Sequence, residues 1–211
     1  MEIVNPTMNT YAEAHTSQES SLLKKINRDT HVGVFSPRML SGHLQGRFLS
    51  MISHMIRPRK ILEVGTFTGY SALCLAEGLE PGGKIYTIDI NEELEARVRK
   101  YFEESDRNAS INYLVGDAVT LINELDGPFD LVWIDADKEN YSKYFDLVID
   151  KVPSGGFIMA DNVLWSGKVV EVKPDKDTKA VMAFNHKIQE DARVENVLVP
   201  VRDGILLMRK I

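Results

Sequence analysis

The sequence predicts an α/β fold: a seven-stranded mixed sheet with helices on both faces, its last strand antiparallel, and extra helices before the first strand. Three observations predict it. From residue 60 onward, short apolar runs of strand length alternate with helical patterns. The first run, Ile61-Leu62-Glu63-Val64, stops at Gly65 and restarts as a helix near Tyr70 and Ser71, the opening unit of a doubly wound sheet. Near the end, Asp203-Gly204 is a hairpin signal, which reverses the final strand.

Taken in order, residues 1–10 read as a loose tail. Residues 11–28 read as a polar helix with Leu22, Leu23 and Ile26 on one side, and residues 31–37 as a connector. Pro37 suits the first turn of a helix running to about Ile56. Its Met39, Leu40, Leu44, Phe48, Met51, Ile52 and Met55 fall at helical spacing. That methionine stripe reads as core, or as the wall of a dimer contact or substrate pocket. Strands are expected at 60–64, 84–88, 111–115, 129–134, 157–160, 194–200 and 205–210. Helices are expected at 70–79, 92–104, up to about Leu125, at 139–150 and at 178–192. Asn91 caps the second of these, with Glu92 and Glu93 in its first turn. The 211 residues make one domain, a helical cap (1–57) on a core (58–211).

Composition narrows the function classes. A hydrophobic share of 44% and a charged share of 27% are those of a water-soluble globule. The net charge of -6 argues against a sequence-independent nucleic-acid binder, which needs a basic face. No apolar stretch is long enough to span a bilayer and no apolar run opens the chain, so neither membrane insertion nor a signal peptide is expected. Cys74 is the single cysteine and reads as a small buried hydrophobe in the helix after the first strand. One cysteine excludes an internal disulfide and fits a cytoplasmic location.

The turn after the first strand narrows the ligand. Dinucleotide sites want G-x-G-x-x-G, whereas here Gly65 and Gly69 enclose Thr66, Phe67 and Thr68. Glu63 would repel a phosphate, and a carboxylate in an apolar strand is costly unless paired. The pattern suits a nucleoside without phosphates that carries a positive group. A tight turn holding no ligand would show the same two glycines.

Asp89, Asp117, Asp135 and Asp161 each stand where an apolar strand ends, and parallel strands bring those ends to one edge. Any one alone reads equally as the N-cap of the next helix. Asp89 follows Gly65 by 24 positions, near the spacing at which an acidic residue accepts from ribose hydroxyls. Asp117 and Ala118 are placed to meet an adenine edge. Asp135, Asp161 and Asn162 offer three oxygen ligands, which suits a hard cation: Mg²⁺, with Ca²⁺ or Mn²⁺ as alternatives. Lys138 reaches into the same mouth, or stands solvated at a helix start.

With these residues collected, the chain resembles the class I cation-dependent O-methyltransferases, which include the caffeoyl-CoA and catechol enzymes. MLSGHLQGRFL (39–49), LEVGTFTGYSAL (62–73), IYTIDI (85–90), GDA (116–118), WIDADKENY (133–141) and GGFIMADNVLWSG (155–167) carry the resemblance. It implies a Rossmann-like sheet and S-adenosylmethionine as methyl donor. By matching motif positions, it assigns the donor to Ser41, Glu63, Gly65, Thr66, Ser71, Asp89, Ala118 and Asp137. It assigns the metal to Asp135, Asp161 and Asn162, and the role of general base to Lys138. Plant caffeoyl-CoA enzymes carry asparagine after the tryptophan at a substrate-contacting position, whereas Trp165 is followed by Ser166, which speaks against a caffeoyl-CoA acceptor. A small phenolic or catechol-like acceptor and a homodimer are the implied partners.

Four rival readings fit less well. The glycine spacing and Glu63 disfavour a nicotinamide oxidoreductase. A nucleic-acid methyltransferase lacks its Asn/Asp-Pro-Pro-Tyr/Phe motif here. An aminopropyl transferase would leave the Asp135, Asp161 and Asn162 cluster without purpose, and a non-catalytic binding module would have no use for Lys138. A methyltransferase acting on a non-phenolic small molecule remains the alternative within the family.

Overall fold

The computed structural model describes residues 5–211. Its sheet contains β1 (Lys60–Val64), β2 (Lys84–Asp89), β3 (Ile111–Val115), β4 (Leu131–Ile134), β5 (Phe157–Ala160), β6 (Val194–Val199) and β7 (Ile205–Lys210). The strand order is β3-β2-β1-β4-β5-β7-β6. The first five strands pair in parallel, and β7 runs antiparallel to both β5 and β6. The order reverses between β1 and β4, where a doubly wound sheet opens its ligand crevice.

The helices are α1 (Pro6–Ala14), α2 (Ser21–Gly33), α3 (Gly42–Ile56), α4 (Tyr70–Ala76), α5 (Glu95–Glu103), α6 (Ala118–Glu124), α7 (Tyr141–Val148) and α8 (Lys176–Glu190). Successive residues of each strand face opposite ways, so the core has two halves. Ile61, Ile85, Leu131 and Trp133 meet α2, α3, α4 and α5. Leu62, Ile88, Val132 and Ile158 meet α6, α7 and α8. Cys74 is fully buried in α4, and burial pushes its thiol up to about 12.

The amino-terminal third departs from the sequence reading. Residues 6–10 belong to α1, while residues 1–4 of the expected tail lie outside the described residues. Pro6 occupies the first helical turn, where no N–H is missed, and the Asn5 side chain accepts from Thr7 N–H at 2.9 Å. The expected helix at 11–28 is divided between α1 and α2, because Ser20 caps α2 by accepting from Leu23 N–H at 3.2 Å. α2 also absorbs the start of the expected connector. Pro37 begins a 3-10 turn ending at Met39, and extended backbone at Leu40 separates it from α3.

Of this stripe, Leu40 is core and Phe48 and Ile52 pack against it, whereas the methionines are not core. Met51 and Met55 are 63% and 72% exposed, while α3 buries Gln45, Gly46, Leu49, Ser50 and Ser53. The reason is the closeness of α3 to the chain leaving α4. A Cβ on Gly78 would lie 2.2 Å from the Ser53 carbonyl carbon, so only small residues fit at this crossing. Most polar groups on that side are satisfied, Arg47 Nε being the exception among the described residues. Ser53 donates to Leu75 O at 2.6 Å, Ser50 donates to Glu77, and Arg47 grips Glu77 with two nitrogens.

Because the obstacle at Gly78 is backbone, Gly78→Ala must push α3 away from α4. It is expected to cost about 1–3 kcal/mol, read from urea or thermal unfolding. An unchanged midpoint would show that the two segments do not meet this closely in solution.

Candidate active site

The crevice is built by the ends of β1, β2, β4 and β5. Asp135 N–H donates to Val64 O at 2.8 Å, Asp161 N–H to Ile134 O at 3.0 Å, and Gly65 N–H to Ile88 O at 2.9 Å. Gly65 has φ +106, and a Cβ there would stand 1.9 Å from the Asp135 carbonyl oxygen. Glycine at 65 is therefore required twice over, by conformation and by the approach of β4.

On the β1–β2 side, Glu63 is fully buried. The Thr87 hydroxyl donates to its Oε2 and in turn accepts from Thr66, since a hydroxyl carries one proton. Oε1 has no hydrogen-bond partner among the described residues. Burial pushes the Glu63 carboxyl up to about 8, with the Ser71 and Thr87 hydroxyls pulling it partway back. An unpaired buried acceptor of this kind fits a ligand bearing a donor or a positive charge. Asp89 pins the glycine turn by accepting from Phe67 N–H at 2.6 Å, and its other oxygen accepts from Asn91 N–H at 2.9 Å. Ser71 and Ala118 are buried in the first turns of α4 and α6. The Asp117 side chain is spent on capping α6, facing solvent and accepting from Val119 and Thr120. Asp137 accepts from Tyr144 OH at 2.6 Å and from Asn140.

On the β4–β5 side, Asp135 and Asp161 follow the paired residues Ile134 and Ala160. Asp161 is buried; Gln45 Nε2 donates to its Oδ2 at 2.6 Å, and its Oδ1 has no partner among the described residues. Burial, then the neighbouring Asp135 charge, hold the Asp161 carboxyl above the usual carboxylate range. Lys138 Nζ lies 3.3 Å from Asp135 Oδ1, donates to the Tyr141 hydroxyl and stands 5.8 Å from the centre of the Trp165 ring. Asn162, Trp165 and Ser166 all have left-handed backbone, with φ of 57, 47 and 55. Ser166 faces solvent and donates its N–H to Asp203.

The oxygen donors of Asp135, Asp161 and Asn162 fit a hard divalent cation, and the partnerless Asp161 Oδ1 is an acceptor such an ion would satisfy. No group of three or more His, Cys, Asp and Glu side chains among the described residues could hold a metal, so a cation here depends on Asn162 as third side chain.

Besides Gln45, three neighbours were not singled out from sequence. Tyr141 is buried beneath Lys138 and donates to Asp161 O at 3.1 Å. Arg202 donates to the Ser41 carbonyl and to Gln45 Oε1. Thr87 supports Glu63. Thr87 and Tyr141 stood inside the runs IYTIDI and WIDADKENY, while Arg202 left no mark.

A seven-stranded sheet of this order with one reversed strand, and carboxylates gathered at its switch point, defines the class I methyltransferase type. A family profile described as O-methyltransferase matches residues 13–211. The caffeoyl-CoA O-methyltransferase of Stellaria longipes is 34% identical over 207 residues, 92% of this chain and 85% of the relative. The SAH-bound methyltransferase PaMTH1 of Podospora anserina superposes with a TM-score of 0.90 at 25% identity, covering 97% of this chain and 94% of that one. The O-methyltransferase of Bacillus cereus in complex with SAH gives 0.89 at 26% identity, covering 97% of both chains. The chain belongs to the O-methyltransferase family, enzymes that depend on S-adenosylmethionine.

Glu63 gives a pH test of the donor-free protein. Between its ordinary value of 4.5 and about 8, the folded state holds a proton that the unfolded chain has released. The folded state's advantage therefore shrinks as pH rises through this window. Glu63→Gln removes the effect, so its melting temperature relative to wild type should climb between about pH 5 and about pH 8.5. A constant difference across that range would contradict the buried, protonated carboxyl.

Proposed function

We propose that the protein transfers methyl from S-adenosylmethionine to a hydroxyl of a small catechol-like or phenolic acceptor, with a divalent cation. The observation that carries this reading is Lys138 held 3.3 Å from Asp135, beside a buried Asp161 whose Oδ1 has no partner among the described residues. The reaction is an in-line displacement from a sulfonium to oxygen. The attacking oxygen must be phenolate, and a phenol in water has a pKa of about 10. Asp135, Asp161 and Asn162 would hold the cation, which when bound favours the ionised hydroxyl and helps orient it. Lys138 would take the phenolic proton in its neutral amine form, after giving up its own proton, and its hydrogen bond to Tyr141 would hold it in position. Glu63 supplies negative charge on the donor side, matching a sulfonium rather than a phosphate. Positioning is the larger contribution, up to roughly 7–11 kcal/mol in well-oriented systems.

The same reading includes a homodimer, supported by the outward apolar side of α3 at Met51 and Met55. Light scattering should give twice the chain mass, and a monomer at micromolar concentration would remove the dimer.

Methyl transfer to a panel of catechols and caffeic-type phenols should require Mg²⁺ and vanish in EDTA. Asp135→Ala should abolish the metal-dependent turnover with S-adenosylhomocysteine binding retained. Lys138→Ala should cut the rate by about 10²–10⁴-fold while Mg²⁺ affinity changes little. Turnover indifferent to EDTA would keep the methyltransferase and discard the cation.

A further inference from the structure

We propose that Gln45 is a positioning residue for the cation site, fixing Asp161 through one oxygen so that the other remains as a ligand. The inference rests on the cation reading above.

The amide orientation is dictated by chemistry. A guanidinium only donates, so the Gln45 atom facing Arg202 must be its carbonyl oxygen, and the atom facing Asp161 must be its nitrogen. Gln45 is fully buried, so the amide has no water to exchange partners with. Asp161 Oδ2 is thereby engaged at 2.6 Å, and Oδ1 has no partner among the described residues. Arg202 is itself fixed by a second donation, to the Ser41 carbonyl, and sits in left-handed backbone at φ 50.

The interposed amide has a specific advantage. An arginine bound directly to Asp161 would compete with a divalent cation for the carboxylate. Gln45 gives Asp161 a hydrogen bond and keeps the guanidinium charge one amide away. The bridge also joins three separate parts of the chain: α3, the end of β5, and the turn between β6 and β7. Groups that hold metal ligands from behind are worth about 10–100-fold in metal affinity.

The test uses the full chain stripped of metal, titrated with Mn²⁺ and separately with S-adenosylhomocysteine by calorimetry. Gln45→Leu and the gentler Gln45→Met should each weaken Mn²⁺ binding by about 10–100-fold and leave S-adenosylhomocysteine within about two-fold. Half-saturating Mn²⁺ for turnover should rise in step, with kcat recovering at saturating metal. Equal Mn²⁺ affinity in wild type and variants would overturn the inference alone. Parallel loss of both affinities would overturn it too, as a merely structural role. A wild-type chain that binds no Mn²⁺ would overturn the cation reading and the inference together. A Mn²⁺-soaked crystal of the wild-type protein gives a check that needs no variant. The ion should contact Asp161 Oδ1 with Gln45 still on Oδ2, and an ion on both oxygens would refute the assignment.

Discussion

The closeness of the β1 and β4 ends governs this molecule. Gly65 lies against the Asp135 carbonyl at a separation that no side chain would tolerate. That approach brings the carboxylates of Glu63 and Asp135 to the ends of neighbouring strands, around one crevice. In the proposed reaction, a methyl group moving between a sulfonium and a phenolic oxygen would need both groups close together, and adjacent strand ends lie only about 5 Å apart.

The site is electrostatically expensive. Glu63 and Asp161 are buried, and each has one oxygen satisfied by a side chain and one without a partner among the described residues. Their raised carboxyl pKa values express the same cost, chiefly desolvation. Such groups lower stability in the ligand-free state and become favourable when positive charge arrives. The two oxygens face chemically different visitors, an organic sulfonium in one reading and a hard metal ion in the other. The surrounding hydroxyls and amides set that difference, since the carboxylates themselves are alike.

The strands were legible because a parallel sheet buried on both faces writes itself as short apolar runs, as in ILEV and LVWI. The acidic residues at their ends were legible for the same reason, although Asp117 proved to serve its own helix. The α3 methionines were legible only as alternatives, core or an outward contact wall, because periodicity reports that one side of a helix is apolar and does not report which side meets the core. Here the crossing with α4 is too tight for methionine, so small and polar residues turn inward. Gln45 stood inside MLSGHLQGRFL without a legible role, and Arg202 left no signal, because their meaning depends on partners 116 and 157 residues away. Tyr141 stood inside a motif, yet only its hydroxyl contacts with Lys138 and the Asp161 carbonyl explain its presence.

The outward-facing amino-terminal helices resemble an accessory that evolution could exchange without touching the chemistry. The contacts say otherwise. α3 contributes Gln45 to Asp161, and Ser41 just before it offers its carbonyl to Arg202, while Arg47 is bound to Glu77 beyond α4. The seam at residue 57 is therefore no module boundary. A chain shortened to the sheet and its own helices would keep every strand-end aspartate in sequence and lose the brace behind one of them. Changes in the cap are thereby constrained to its outer side, because its inner side holds Gln45 against Asp161.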